Sequence, residues 1–385
     1  MVDFNKEIDR RGTYCTQWDY IEDRFSEKDL LPFTISDMDL ESPKEIIEAL
    51  KKRVEHGVFG YSRWNHSDYK DAIRMWYKKR FGAEINSEWI VYSPSVMYSV
   101  AKFINLFSEE EDGVLILTPA YDAFYKTIAA NNRKVIESSL VLKEDKYLID
   151  FDDFELKCKE AKVFLLCNPH NPTGRVWTYE ELKRIVKICN NNKVKIISDD
   201  IHMDITYERK TTPIFKLEGS LENIICSSPS KTFNIPALTG SYVIIPDKNL
   251  RNEFIKIIKD KEAVSSPSIF AVIATIVAYN KCEYWVDELV NHTKENINLV
   301  KNILEQDLKS LKLINPDGCY FAWINFKDLK LSSKEFQILL IQKGKVAIMP
   351  GNTYGKVGEY FIRLNVGCSR EKVFKGLERI RAALE

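Results

Sequence analysis

The stretch Ser228-Pro-Ser-Lys231-Thr-Phe-Asn-Ile-Pro-Ala-Leu-Thr-Gly240 puts a lysine among small hydroxyl residues, just past the strand-like run Asn223–Cys226. An amine there can form a Schiff base with an aldehyde, while Ser228 and Ser230 offer short donors to a phosphate. An aldehyde and a phosphate on one ring describe pyridoxal phosphate, which delocalises the carbanion left when an amino acid loses its α-proton. Ser-x-Ser-Lys alone is a short pattern. Two upstream segments strengthen it: Asn168-Pro-His-Asn171-Pro-Thr-Gly174 and Ile197-Ser-Asp199-Asp-Ile-His202.

Such a ring needs its nitrogen protonated, and a buried carboxylate beside the nitrogen keeps it so. Asp199 is the candidate; in isolation it reads as a strand-end or helix-cap aspartate. Asn171 would donate to the phenolate oxygen of the ring, against the plainer reading of an Asn-Pro turn. His202 would add a contact or pack nearby as a core histidine. Lys231 would hold the cofactor and then move protons as a general base, whereas a lone lysine is ordinarily a solvated side chain. Ser95, Val96 and Met97, ahead of the helical run Ser99–Phe107, could present backbone N–H groups to the phosphate. Tyr121 could stack on the ring or be an ordinary core tyrosine. Arg363 shares a strand face with Phe361. A guanidinium in so apolar a strand needs a partner, either a substrate α-carboxylate held bidentately or a structural salt bridge.

These residues must be carried by a scaffold. Trp89–Tyr92, Val114–Leu117, Val163–Leu166, Val194–Ile197, Ile224–Cys226 and Tyr242–Ile245 read as short, nearly all-apolar strands, as expected when both sheet faces are covered. Thr178-Tyr-Glu-Glu181 opens a helix with a capping box, and Leu182, Ile185, Val186 and Cys189 follow at helical spacing. The alternation predicts an α/β layer with a mostly parallel sheet. Ligands of such sheets bind beyond the carboxyl ends of the strands. Asn171, Asp199 and Lys231 each follow a different strand. After about residue 285 the pattern changes to a helix over 285–307, strands at Tyr320–Phe326, Val346–Met349 and Tyr360–Leu364, and a last helix over Arg370–Leu384 with Val373, Leu377, Ile380 and Leu384 on one face. We therefore expect a large cofactor-binding domain over 46–285 and a smaller α+β domain built from 1–45 and 286–385.

Composition bounds the partners. Lys plus Arg and Asp plus Glu both number 56 in 385 residues, which argues against a nucleic-acid or membrane-surface binder. The eight cysteines are scattered without a Cys-x-x-Cys pair and predict buried free thiols in a reducing cytoplasm. The longest apolar stretch, Ile269–Tyr279, is short of the ~20 residues that span a bilayer and reads as a buried helix. The histidines show no metal spacing, so no metal is expected, and there is no Walker loop or Gly-x-Gly-x-x-Gly.

Asn171-Pro-Thr-Gly, Asp199 with His202, Ser228-x-Ser-Lys231 and Arg363 together resemble the class I/II aminotransferase superfamily of fold type I. The sequence is more similar still to its MalY/PatB-type C–S lyases, the cystathionine β-lyase-like branch. That likeness runs nearly end to end, through Arg11-Gly-Thr-Tyr-Cys-Thr-Gln-Trp-Asp19, Thr34-Ile-Ser-Asp-Met-Asp39, His56-Gly-Val-Phe-Gly-Tyr61-Ser-Arg-Trp64, Thr118-Pro-Ala-Tyr-Asp-Ala-Phe-Tyr125, Ser265-Ser-Pro-Ser268, Val346-Ala-Ile-Met-Pro-Gly-Asn-Thr-Tyr-Gly355 and Phe361-Ile-Arg-Leu-Asn-Val-Gly-Cys368. The resemblance implies an aspartate-aminotransferase-like fold: a mostly parallel seven-stranded sheet flanked by helices, plus the smaller domain. It implies Lys231 and Tyr121 as catalytic residues and a homodimer with shared active sites, in which Tyr61 reaches the phosphate of the neighbouring subunit's cofactor. It also implies that Asp37 and Met38 line the entrance near the substrate. Two positions depart from the wider pattern. Thr239 stands where many aminotransferases carry a phosphate-clamping arginine, a threonine that the lyase branch shares, and Asp200 replaces the usual glutamate.

The activity implied is cleavage of the Cβ–S bond of L-cystathionine or a related cysteine S-conjugate, giving a thiol (homocysteine from cystathionine), pyruvate and ammonia. An aminotransferase using the same residues is the enzymatic rival. A regulatory protein-binding role of the same fold is the rival from another class.

Overall fold

The computed structural model describes residues 2–385. Its centre is a seven-stranded sheet in the order Ile90–Ser93, Ser241–Ile244, Ile224–Ser227, Lys195–Asp199, Ala161–Cys167, Gly113–Thr118, Lys134–Ser139. Ser241–Ile244 runs antiparallel to both its neighbours, and the other pairings are parallel. Six of the strands are the six apolar runs read from sequence, each within about two residues. The seventh, Lys134–Ser139, is an edge strand that is partly exposed along most of its length. Its lysine, glutamate and serines satisfy a solvated edge and carry no apolar run to betray it.

Helices cover the sheet. Tyr179–Asn191 starts with the expected capping box: the Glu181 N–H donates to Thr178 Oγ1 at 3.1 Å, and the Thr178 N–H donates to the Glu181 carboxylate at 2.8 Å. Ile269–Lys281 buries Ala271, Val272, Ala274, Thr275, Ala278 and Tyr279 against Lys44–Glu55 and Ser67–Phe81. No single helix among the described residues is long and apolar enough to cross a membrane. All eight cysteines are free and buried.

A second sheet has the order Leu31–Phe33, Val346–Pro350, Phe361–Asn365, Phe321–Asn325, Lys312–Ile314. Its edge strand comes from the N-terminal segment and pairs in parallel with Val346–Pro350. The chain start is thus sewn to the chain end, and the segment after Phe33 is led back across the first sheet. Helices Glu283–Asp307 and Arg370–Leu384 pack on this second sheet. Gly376 lets the last helix approach closely, since a Cβ there would lie 2.4 Å from the Phe33 ring. The boundaries drawn at 45 and 285 fall just inside helices Lys44–Glu55 and Glu283–Asp307.

Candidate active site

Three neighbouring strands of the large sheet end together. Asn171 lies in the loop after Ala161–Cys167, Asp199 is the last residue of Lys195–Asp199, and Lys231 follows Ile224–Ser227. All three line one cavity of about 250 Å³. Ser95, Val96, Met97, Tyr121, His202, Ser228, Ser230 and Thr239 share its wall.

The Lys231 Nζ donates to the Ser36 hydroxyl at 2.8 Å and to the Ser36 carbonyl at 2.9 Å. Burial pulls its pKa down to about 8, opposed by Asp37 and Asp199 and reinforced by Arg363. Near neutral pH a useful fraction of this amine is unprotonated and nucleophilic. Asp199 is fully enclosed, accepts the Ile201 N–H at 3.1 Å and has no ion pair among the described residues. Burial pushes its carboxyl up to about 7, against the Ile201 hydrogen bond and the Lys231 charge. A carboxylate so placed is stabilised by any cation that enters, and a protonated ring nitrogen is one.

His202 is buried with its ring edge-on to Tyr320 and Phe321, at 5.8 and 5.5 Å between centroids. Desolvation, then Lys231 and Arg363, hold it down to about 3, so the ring is neutral. Its Nδ1 is buried without a hydrogen-bond partner. Asn171 accepts from Arg363 Nη1 through Oδ1 at 3.0 Å, which leaves its amide N–H free to donate into the cavity. Helix Val96–Phe107 begins at the cavity, capped by Ser95, whose Oγ accepts the Tyr98 N–H at 3.1 Å. The N–H groups of Val96 and Met97, at the head of that helix, have no intrahelical acceptor. Ser228 also lines the cavity, but its hydroxyl proton is committed to the Gly240 carbonyl at 2.7 Å and its oxygen accepts the Ser230 N–H. It holds the lysine loop in shape. Tyr121 stands on the wall as the residue before helix Asp122–Ala130, its phenol pKa raised by burial and then by Asp122. Amine, lone carboxylate, amide donor and helix start together suit pyridoxal phosphate.

Arg363 is buried between the rings of Phe321 and Tyr354, 4.1 and 5.1 Å from the guanidinium carbon. Nη2 donates to the Thr34 carbonyl at 2.8 Å, and Nε has no partner. Arg363 makes no ion pair among the described residues, so the structural salt bridge weighed for it is absent and the charge is left for an incoming anion.

Three expected residues are not on the wall of this cavity. Tyr61 is fully exposed, at 102%. Met38 is buried, with its backbone tied to Asn234 and Arg10, and together with Asp37 it borders a neighbouring cleft instead. Asp37 pairs through Oδ2 with Arg10 at 2.6 Å, while its Oδ1 is buried and unpartnered. Asp200 is fully buried, accepts from Ser198 Oγ at 2.5 Å and is pushed up to about 8 by burial and then by Asp199. It does not line the cavity.

Sequence reasoning passed over Ser36, Cys167, Thr34 and Tyr354. Ser36 and Thr34 belong to the quoted Thr34–Asp39 run, but their roles depend on that segment crossing over Lys231 and Arg363. No local pattern encodes a contact between residues so far apart in the chain.

The family model for aminotransferase class I and II matches residues 28–380. Protein MalY of Escherichia coli (strain K12) is 43% identical over 379 residues, covering 98% of this chain and 97% of that protein. Cystathionine beta-lyase PatB of Bacillus subtilis (strain 168) is 38% identical over 388 residues, covering both chains completely. Among solved structures, cystalysin from Treponema denticola, which contains a pyridoxal 5'-phosphate cofactor, superposes with a TM-score of 0.95 at 31% identity over 100% of this chain and 99% of its own. The chain belongs to the class I and II aminotransferase family, in the branch of MalY and PatB.

Proposed function

We propose that this chain is a pyridoxal-phosphate-dependent C–S β-lyase that cleaves L-cystathionine or a related L-cysteine S-conjugate to a thiol, pyruvate and ammonia. The observation that carries the reading is one cavity holding a buried amine, a buried carboxylate without a counter-ion and a nearby guanidinium without a counter-ion.

The cofactor, when bound, supplies an electron sink for the carbanion at Cα. Asp199 would face its ring nitrogen, Asn171 its phenolate oxygen, and the Val96 and Met97 N–H groups with Ser230 its phosphate. Arg363 fixes the substrate through its α-carboxylate, and the Asn171 and Phe321 contacts hold the guanidinium in place for that grip. The Lys231 amine takes the proton from Cα. The electron pair left behind becomes the Cα–Cβ double bond as the Cβ–S pair departs with sulfur. The thiolate then takes up a proton, and hydrolysis of the resulting enamine consumes one water and yields pyruvate and ammonia. The cavity-lining apolar groups, among them Val96, Ile201 and Pro236, limit water at the reacting carbon.

The test is purified, cofactor-loaded protein with L-cystathionine. Pyruvate and free thiol should appear in equal amounts; amino transfer to a keto acid without thiol release would favour the aminotransferase instead.

The same reading takes 46–285 as the cofactor-binding unit, 1–45 with 286–385 as the smaller one, and the working form as a cytoplasmic homodimer. Eight buried free thiols fit a reducing compartment. Tyr61, Val54, Val58 and Phe59 form an exposed apolar stretch suited to a second copy. Light scattering should give twice the chain mass. Tyr61→Ala should weaken cofactor binding by roughly tenfold, as expected for loss of one hydrogen bond to a charged group. A monomer, or unchanged cofactor affinity, would count against the shared site.

A further inference from the structure

Arg24 stands beside the substrate clamp and has no anion of its own. Its Nη1 donates to Thr34 Oγ1 at 2.8 Å, while the Thr34 carbonyl accepts from Arg363 Nη2 at 2.8 Å. One residue therefore carries two guanidinium groups, one on its side chain and one on its backbone. Arg24 Nη2 meets the Met349 sulfur at 3.5 Å, and Met349 is the cross-strand neighbour of Arg363. Neither arginine makes an ion pair among the described residues. Desolvation lowers the Arg24 pKa, opposed by Asp37 and then Tyr354. Asp37 is already paired with Arg10, and Tyr354 lies against Arg363.

Arg24 is exposed and, held to Thr34 and Met349 without a carboxylate of its own, leaves its guanidinium open to an incoming anion. The α-carboxylate of an amino acid satisfies Arg363 only. We propose that Arg24 binds a second carboxylate, at the far end of the sulfur substituent, so that the site prefers cysteine S-conjugates carrying a distal carboxylate over those ending in an alkyl group. L-cystathionine has such a group and S-methyl-L-cysteine does not. The inference rests on the β-lyase reading for the reaction, but its binding half can be measured without turnover.

The experiment compares cofactor-loaded wild type, Arg24→Gln and Arg24→Lys on those two substrates. Arg24→Gln should lose about tenfold to a hundredfold in kcat/KM on L-cystathionine, chiefly through KM, and change less than about twofold on S-methyl-L-cysteine. Arg24→Lys keeps the charge without the planar fork and should recover part of the loss. Equal losses on both substrates, or none on L-cystathionine, would overturn the proposal. Calorimetry supplies the second measurement, with suberate, whose carboxyl carbons are separated by the same number of bonds as those of cystathionine, and octanoate as its monocarboxylate counterpart. Suberate should bind Arg24→Gln about tenfold or more weakly than wild type, with octanoate unaffected; unchanged suberate binding refutes the role of Arg24. If wild type releases pyruvate from neither amino acid, the lyase reading fails, and the suberate titration alone decides the question of Arg24.

Discussion

Lys231→Ala should reduce turnover of L-cystathionine by at least about 10²–10⁴-fold, the range attached to loss of a positioned proton-transfer group. Borohydride treatment of the loaded protein should then fail to fix a chromophore to the chain. The argument begins with the environment of the side chain. Burial lowers this ammonium to about 8 because the cavity solvates a charge poorly, and the same burial makes the free amine available near neutral pH. Truncation removes the donor to Ser36, yet the Ser36 carbonyl keeps the Tyr320 hydroxyl at 2.8 Å, so the crossing segment stays anchored. The variant should therefore fold, with a melting temperature within a few degrees of wild type and no catalysis. Lys231→Arg should be equally inactive, because a guanidinium does not deprotonate and cannot serve as nucleophile or base. Substantial turnover by either variant would remove Lys231 from the centre of the mechanism.

The parts of this site that sequence made legible are those encoded locally. Asn171, Asp199 and Lys231 sit just beyond apolar strand runs, and the carboxyl-end rule for parallel sheets converts those positions into a single place in space. Helix starts are equally local: Thr178 and Glu181 announce one, and Ser95 sets another. What sequence could not disclose are contacts made by crossing segments. Ser36 holds Lys231, and Thr34 holds both Arg363 and Arg24, only because Leu31–Phe33 pairs with Val346–Pro350 and directs the following residues over the cavity. Arg363 shows the intermediate case. Its apolar strand signalled that a partner was required, but a structural salt bridge could be set aside only once Asn171, Thr34 and two aromatic rings were seen to occupy its surroundings. The Lys134–Ser139 edge strand escaped notice because solvent, rather than a packed face, chose its residues.

Asp199→Asn should move catalysis and apoprotein stability in opposite directions. Catalysis should fall by about 10²–10³-fold in kcat, the usual cost of deleting one preorganised electrostatic contact, because an amide cannot hold the ring nitrogen in its protonated state. Stability follows from the burial of the carboxyl. In the apoprotein Asp199 is raised from 3.8 to about 7, Asp200 to about 8 and Asp204 to about 6, each chiefly by desolvation. A carboxyl raised on folding contributes stability that is complete below the unfolded value near 4 and is lost as pH climbs through the folded value. Apoprotein stability should therefore decline from about pH 4 to about pH 8, with Asp199 accounting for roughly 4 kcal/mol of the fall as an upper figure. Asparagine keeps an oxygen for the Ile201 N–H and carries no charge, so the variant apoprotein should escape that share of the decline and melt higher than wild type above pH 7. Loading with cofactor should reverse the order, since the wild-type carboxylate then gains a cationic partner and the amide does not. Thermal melts of both proteins at pH 5 and pH 8, with and without cofactor, read all four states. A wild-type apoprotein that is equally stable at both pH values would mean that burial does not raise the Asp199 carboxyl, and a variant that retains full turnover would mean that its charge does not face the ring.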